Sequence, residues 1–173
     1  MGSKNKKRGF TLIELLIYIA LISLFLTAAT GTLLDIILGN TKSAVQQEVQ
    51  ENLRYASYRL LFEIRNADSI NAGSSFSVNF ADNPAEEFSL AVPSPNNPVE
   101  FRVASGVLQV KRGTGDWGNL TSSSVQITNL IFTNVSDSES ESVGFVMTLR
   151  YLNPSGRSQW EKEATFRGAA TLR

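Results

Sequence analysis

The feature that most constrains this chain is a run of about 20 residues without a charged side chain, from Leu15 to Leu34. At about 1.5 Å of rise per residue, a helix of this length spans about 30 Å, which matches the hydrocarbon core of a bilayer. The run therefore predicts a membrane-spanning helix close to the N terminus.

A basic cluster precedes this run and contains no acidic residue. Its members are Lys4, Lys6, Lys7 and Arg8. Basic flanks stay on the cytoplasmic side when a helix inserts. The sequence therefore predicts a single pass through the bacterial inner (cytoplasmic) membrane, with the N terminus inside and everything after Asp35 outside.

The neutral overall charge hides an asymmetry. The chain has 16 basic and 16 acidic residues, but residues 1–9 hold four of the basic ones, so the remainder carries 12 against 16 and a net charge of −4. Affinity for nucleic acid comes largely from Lys and Arg neutralising phosphates. No nucleic-acid partner is expected for the acidic remainder.

The residue types that are missing narrow the chemistry further. The chain has no cysteine and no histidine, which excludes disulfides, thiol catalysis, Cys/His zinc sites and imidazole acid–base catalysis. It also has no phosphate-binding glycine loop. The acids Asp137, Glu139 and Glu141 alternate with serines, but they lack the EF-hand pattern and read better as a solvated loop. We predict no enzyme, no cofactor and no metal site.

One carboxylate, Glu14, lies at the start of the apolar region. An ionisable group in a membrane helix is costly and is by default a functional hypothesis. If the chain is cut between Gly9 and Phe10, the new amino group lies four residues, about 6 Å of rise, from Glu14. The amine and carboxylate would then neutralise each other, within one chain or between neighbouring copies. The alternative is a Glu14 that is hydrated or protonated near the interface and has no role.

Two other N-terminal signals compete with this hypothesis. A secretory signal cleaved after Ala29 fits the basic start and the small residues at Thr27–Thr30, although the apolar run continues to Leu38. A myristoylation signal fails, because Lys6 occupies the position that requires Ser or Thr.

The segment KKRGFTLIELL, Lys6–Leu16, resembles the class III signal of type IV pilins and type II secretion pseudopilins. In that family a prepilin peptidase cuts after the glycine and methylates the new amino terminus. The resemblance implies that Gly9 is the cleavage residue, Phe10 the methylated first mature residue and Glu14 the glutamate used in assembly. It also implies the partners: the peptidase, other subunits contacted through the N-terminal helix, a membrane assembly platform, and lipid before the subunit enters an extracytoplasmic filament.

Beyond the membrane segment, apolar residues recur at a mean spacing of about 3.7, which indicates one face of an amphipathic helix. They are Val45, Val49, Leu53, Ala56, Leu60, Ile64 and Ala67. We expect one helix from Phe10 to about Asp68, flexed at Gly31 or Gly39, with this stripe packed on the chain's own sheet.

From Phe76 onwards the pattern changes to period two, which predicts strands. The predicted alternating groups are Phe76–Phe80, Phe88–Val92, Val99–Val103 and Phe145–Tyr151. Two turns, Ala104–Val107 and Asn153–Gly156, should close hairpins, the second between strands ending near Tyr151 and starting near Ser158. The alternation slips within Val125–Val135, which predicts a bulge or bend.

These patterns predict an α+β fold in which a long N-terminal helix packs on an antiparallel β domain. The expected segments are a removed leader (1–9), a transmembrane and assembly helix (10–38), its amphipathic continuation (39–70) and a β-rich globular domain (71–173).

The order of long helix and strands is similar to J-type minor pseudopilins and related minor pilins. Many major pilins close their C-terminal region with a disulfide, which this chain cannot form, so the resemblance favours a minor subunit. A membrane-anchored extracytoplasmic binding module that does not polymerise, and an exported protein cleaved after Ala29, remain the alternatives.

Overall fold

The structure, a computed structural model, describes residues 10–153, 156 and 160–173. The leader residues Lys4, Lys6, Lys7, Arg8 and Gly9 lie outside the described residues, as does Ser158. The chain divides into two compact units, Met1–Thr41 and Lys42–Arg173.

A single helix, α1, runs from Leu12 to Arg65 and contributes to both units. It starts and ends within three residues of the predicted bounds, and it continues through Gly31 and Gly39. It terminates where Asn66 N donates to the Phe62 and Glu63 carbonyls and Ala67 N donates to the Ile64 carbonyl. These bonds satisfy carbonyls that the last turn would leave free.

In the first unit the helix buries none of its large apolar side chains. From Leu12 to Leu38 every large hydrophobic residue is between 45% and 77% exposed. The hydrophobic effect gives such a surface no stable place in water, so lipid or other protein must cover it.

In the second unit, by contrast, the predicted apolar stripe is buried. All seven of its residues, from Val45 to Ala67, are at most 8% exposed. Six of them, from Val49 onward, belong to one core cluster with side chains from both sheets, which confirms that the stripe packs on the chain's own β structure.

The strands form two antiparallel sheets. The first has the order β1-β2-β3-β4-β5 and the second has the order β6-β7-β8. Their bounds are β1 Ser69–Ile70, β2 Phe88–Ala91, β3 Val99–Ala104, β4 Val107–Arg112, β5 Gly118–Asn119, β6 Val125–Asn134, β7 Ser142–Tyr151 and β8 Glu163–Thr171. The α+β class with antiparallel pairing is confirmed.

The first predicted hairpin is present. Ala104 pairs with Val107, so the loop contains only Ser105 and Gly106, both with positive φ, 51° and 77°. Two consecutive positive φ angles are those of a type I′ turn, whose twist matches that of the strands. The slip in β6 is also present, as a register shift between Ile127 and Asn129.

The predicted strand at Phe76–Phe80 is wrong. Ser77 adopts a positive φ of 59°, which breaks the extended backbone. Ser77 N instead donates to the Phe132 carbonyl and Phe80 N to the Leu130 carbonyl, 2.8 and 2.9 Å away. Alternation arises here because Phe80 is buried and Phe76 packs against the core, not because the segment forms a ladder.

The second hairpin is longer than its turn signal indicated. β7 ends at Tyr151 as predicted, but β8 begins at Glu163, opposite Arg150. Glu161 therefore precedes the strand. Residues 154, 155 and 157–159 of the connection lie outside the described residues.

One buried charge ties α1 to the first sheet. Glu63 is 6% exposed, and its Oε1 accepts from Arg112 Nη2 at 2.7 Å and from Arg59 Nη2 at 2.8 Å. Removing one member of a buried pair leaves an uncompensated charge, so this contact fixes where the helix lies along β4.

The conformation of the Ser105–Gly106 turn can be tested by substitution of its glycine. At Gly106 a Cβ would lie 2.7 Å from Gln126 Cγ on a backbone of positive φ. We expect Gly106→Ala to lower the free energy of unfolding by about 1–2 kcal/mol. Gly73→Ala is the control, since nothing lies within 4 Å of its added Cβ. Denaturant titration of the full chain in detergent measures both, and equal stabilities would contradict the turn assignment.

Candidate processing and assembly site

The first turn of α1 begins with a side-chain cap. Thr11 Oγ1 accepts a hydrogen bond from Glu14 N at 3.3 Å, and Leu15 N donates to the Thr11 carbonyl at 3.2 Å. Thr at the N-cap with Glu three positions later is the capping-box pattern. Glu14 also lies where the helix dipole favours a negative charge.

The Glu14 carboxylate has a hydrogen-bond donor on its own helix. Tyr18 Oη donates to Glu14 Oε1 at 3.1 Å, as the spacing of four residues allows. Within the described residues Oε2 accepts no hydrogen bond. One carboxylate oxygen is therefore held, and the other remains available to an outside donor.

Phe10 precedes α1 by two residues and lies on the same side of the chain as Tyr18. Its ring meets that of Tyr18 edge-on, with centroids 6.0 Å apart and planes inclined by 72°. Phe10, Glu14 and Tyr18 are spaced by four residues, so one side of the N-terminal segment presents an aromatic ring, a carboxylate and a phenol. We call these three residues the N-terminal face.

The other polar groups of the apolar segment are satisfied internally. Five hydroxyls donate to the carbonyl four residues earlier, at distances between 2.8 and 3.1 Å. They belong to Ser23, Thr27, Thr30, Thr32 and Thr41. Such back-bonding lets hydroxyls lie in lipid without a partner helix. Among the described polar side chains from Phe10 to Leu34, the Glu14 carboxylate is thus the one that carries a charge.

Among the described residues, one helix contains a stretch long and apolar enough to cross a membrane, and it is α1. This stretch is not buried within the protein, unlike the core helix of a soluble domain.

The sequence profile of the prokaryotic N-terminal methylation motif matches residues 4–30. That range contains the basic cluster, Gly9, Phe10 and Glu14. The N terminus carries the signal of the type IV pilin and pseudopilin family. No curated protein and no solved structure matches the chain. The pilin-type signal and the exposed apolar helix together support a membrane-anchored protein processed by a prepilin peptidase. Pilins and pseudopilins are generally structural subunits.

Thr11 and Tyr18 are not among the site residues predicted from the sequence. Both had a readable signal: Thr-x-x-Glu before an apolar run is a helix-start pattern, and Tyr18 lies four residues after Glu14. The predicted residues Phe10 and Glu14 do come together on one face, whereas Gly9 and the basic cluster lie outside the described residues.

The carboxylates of the acidic loop accept hydrogen bonds from backbone N–H groups of the chain. Asp137 Oδ1 accepts from Glu139 N at 2.9 Å and from Ser140 N at 2.7 Å, and these bonds, with that of the Ser140 hydroxyl, lower the pKa of Asp137. Glu141 Oε2 accepts from Ile70 N at 3.0 Å. Across the part of the chain that the structure describes, no cluster of three acidic, histidine or cysteine residues is arranged to hold a metal.

The basic side chains near Trp117 already have partners within the protein. Lys111 Nζ lies 3.0 Å from Glu100 Oε2, and Arg112 pairs with Glu63. Arg102 stacks over the Trp117 ring at 4.0 Å. Paired cations attract phosphate weakly, so this surface gives little support to a nucleic-acid interface.

The cap at Thr11 predicts a local effect. Thr11→Ala should cost about 1 kcal/mol at the first turn, which corresponds to roughly fivefold faster exchange of the Glu14 amide. Thr11→Ser keeps the hydroxyl and should exchange at the wild-type rate. Hydrogen-exchange NMR on the full chain in detergent micelles measures this, and identical rates in all three proteins would argue against the cap.

Proposed function

We propose that this chain is a minor pilin or pseudopilin subunit of the J type. It is non-catalytic, is cut after Gly9, is methylated at Phe10 and is assembled through α1 into a type IV pilus or a type II secretion or competence pseudopilus. Before assembly it spans the bacterial inner membrane once, with its N terminus inside and residues 42–173 outside.

The observation that carries this proposal is the N-terminal face at the start of a helical segment, Leu12–Leu38, that buries none of its large apolar side chains. The large apolar side chains from Leu12 to Leu38 are exposed, so helices of neighbouring subunits would replace lipid without changing the polarity of the surroundings. Packing and polar pairing then decide whether helices associate.

Glu14 supplies the polar pairing. Cleavage after Gly9 creates an amine on Phe10, which retains its positive charge when methylated. The Oε2 oxygen of Glu14 is available to this amine or to that of a neighbouring subunit, while Tyr18 holds Oε1 at 3.1 Å. In surroundings of low dielectric constant, an ion pair is favoured over two separate charges. A pair between subunits would also set their axial stagger.

Mass spectrometry of the membrane-associated protein tests the processing step. We expect a chain that begins at Phe10 and carries one added methyl group on its amine. An intact leader would favour an anchored binding module that does not polymerise, and a chain that begins at Thr30 would favour an exported protein.

The assembly role of Glu14 has its own test. Glu14→Ala should reduce incorporation into sheared filaments about tenfold or more, since an unpaired amine in an apolar bundle costs at least about 1.4 kcal/mol. Glu14→Gln keeps the shape of the side chain without the charge and should show a similar loss, whereas Thr30→Ala, a polar truncation on the same helix, should assemble normally.

Normal incorporation of Glu14→Ala would contradict the assembly role. Resistance of residues 42–173 to protease in each variant distinguishes an assembly defect from a folding defect.

A further inference from the structure

We propose that Tyr18 is a positioning residue for assembly. Its hydroxyl holds the Glu14 carboxylate, and its ring holds Phe10, the residue that carries the amine after cleavage. One side chain thus places both members of the ion pair. This role rests on the proposed function and deepens it, since Glu14 by itself does not fix where its carboxylate points.

The side chain of Tyr18 is partly covered by its neighbours on the N-terminal face. It is 45% exposed, the lowest value among the large hydrophobic side chains from Phe10 to Leu38. Glu14 is half-buried, although Ile13 and Leu15 on either side of it are exposed. The members of the N-terminal face therefore shield one another through the hydrogen bond between Tyr18 and Glu14 and the ring contact between Tyr18 and Phe10.

The hydroxyl of Tyr18 is satisfied differently from the other hydroxyls of the apolar segment. Those of Ser23 and Thr27 donate to the carbonyl four residues earlier. A phenol hydroxyl stands too far from its own helix backbone for such a bond, and an unpaired hydroxyl is costly in lipid. Glu14 Oε1 is the partner in its place, at 3.1 Å. A hydrogen bond to a carboxylate is stronger than one between neutral groups.

Holding one carboxylate oxygen limits the freedom of the other. A glutamate side chain has several rotatable bonds, and ordering such a side chain on association lowers affinity by about two- to tenfold. With Oε1 bound to Tyr18, much of this ordering takes place in the free subunit. The Oε2 oxygen of Glu14 is then presented to an amine in a defined position.

The ring of Tyr18 acts on the residue that gains the amine. The cap and backbone hydrogen bonds of the first turn reach back to Thr11, and Phe10 precedes them. The edge-on contact between the rings of Phe10 and Tyr18, with centroids 6.0 Å apart, extends the ordered surface to Phe10. The residue with the future amine and the residue with the carboxylate are therefore both in contact with Tyr18.

The competing explanation for Tyr18 is a location near the membrane interface. Tyrosine is common there because its ring is apolar and its hydroxyl reaches water. A tyrosine placed for that reason would act independently of Glu14. The two explanations differ when both side chains are changed, because a positioning residue loses its effect when the group that it positions is removed.

The first measurement removes the hydroxyl and keeps the ring. Tyr18→Phe in the full-length subunit should lower incorporation into sheared filaments about fivefold, through loss of preorganisation. Ser23→Ala is the matched control, since it removes a hydroxyl that donates to its own backbone, at the Ile19 carbonyl 2.8 Å away. It should assemble at the wild-type level. Normal incorporation of Tyr18→Phe would overturn the proposal.

The second measurement is the double variant. Tyr18→Phe in the Glu14→Ala background should cause no further loss, because no carboxylate is left to position. Quantitative mass spectrometry of the filaments keeps low levels of the subunit measurable. A further loss of about fivefold would mean that the two side chains act independently, and this result would refute positioning in favour of an interfacial tyrosine.

The contribution of the ring has a separate variant. Tyr18→Leu removes both the hydroxyl and the contact with the Phe10 ring, so it should lower incorporation more than Tyr18→Phe does. Equal losses would contradict the part assigned to the ring.

The N terminus of each variant is determined by mass spectrometry and should be methylated Phe10. A Tyr18→Phe chain that retains residues 1–9 would overturn the proposal as well, since the loss would then arise in cleavage and not in assembly.

The failure of this role can be told apart from the failure of the proposed function. If Glu14→Ala assembles normally, the assembly role of Glu14 fails and the role of Tyr18 fails with it. If Glu14→Ala is defective and Tyr18→Phe is not, the proposed function stands and the role of Tyr18 alone fails.

Discussion

The structure depends on one constraint: the first half of its long helix has no protein core within the chain to pack against. Every large apolar side chain from Leu12 to Leu38 is exposed, and the hydroxyls along it bond to their own backbone. Such a helix is stable only in lipid or against other apolar helices. Within this surface Glu14 is a charge at the very start of the helix, with Thr11 capping the turn and Tyr18 holding one carboxylate oxygen.

The same helix behaves in the opposite way from Lys42 onward. Its apolar stripe is buried, and Glu63 is fixed by Arg59 and Arg112. The two parts of the helix therefore suit different surroundings. The first part is apolar on all sides, as a helix in lipid is. The second part is amphipathic, because one face packs on the core and the other faces water. This division matches a protein that is anchored in a membrane through its first unit.

The two edges of the second sheet differ from each other. The sheet β6-β7-β8 is closed at β6 by the segment after Ser75 and by Gly106, whereas among the described residues nothing pairs with the outer edge of β8. Proteins usually protect such an edge with charge, a bulge or a covering element. Here the exposed side chains of Glu163 and Arg167 place charges on the edge strand, which is one of these protections.

Local patterns in the sequence determined the helix, most of the strands and the pilin-type signal, because each depends on residues close together in the chain. The spacing of Val45 to Ala67 encoded the buried stripe, Ser105-Gly106 a two-residue turn, and the order of Gly9, Phe10 and Glu14 the matched motif. Tertiary structure alone decided the rest. Phe76–Phe80 reads as a strand, but its donors are taken by β6 and Ser77 turns the chain, so contacts 50 to 55 residues away overrode the local alternation. The split into two sheets, the Glu63–Arg112 pair and the open edge of β8 likewise follow from which segments lie side by side, and no periodicity within a segment records its neighbours.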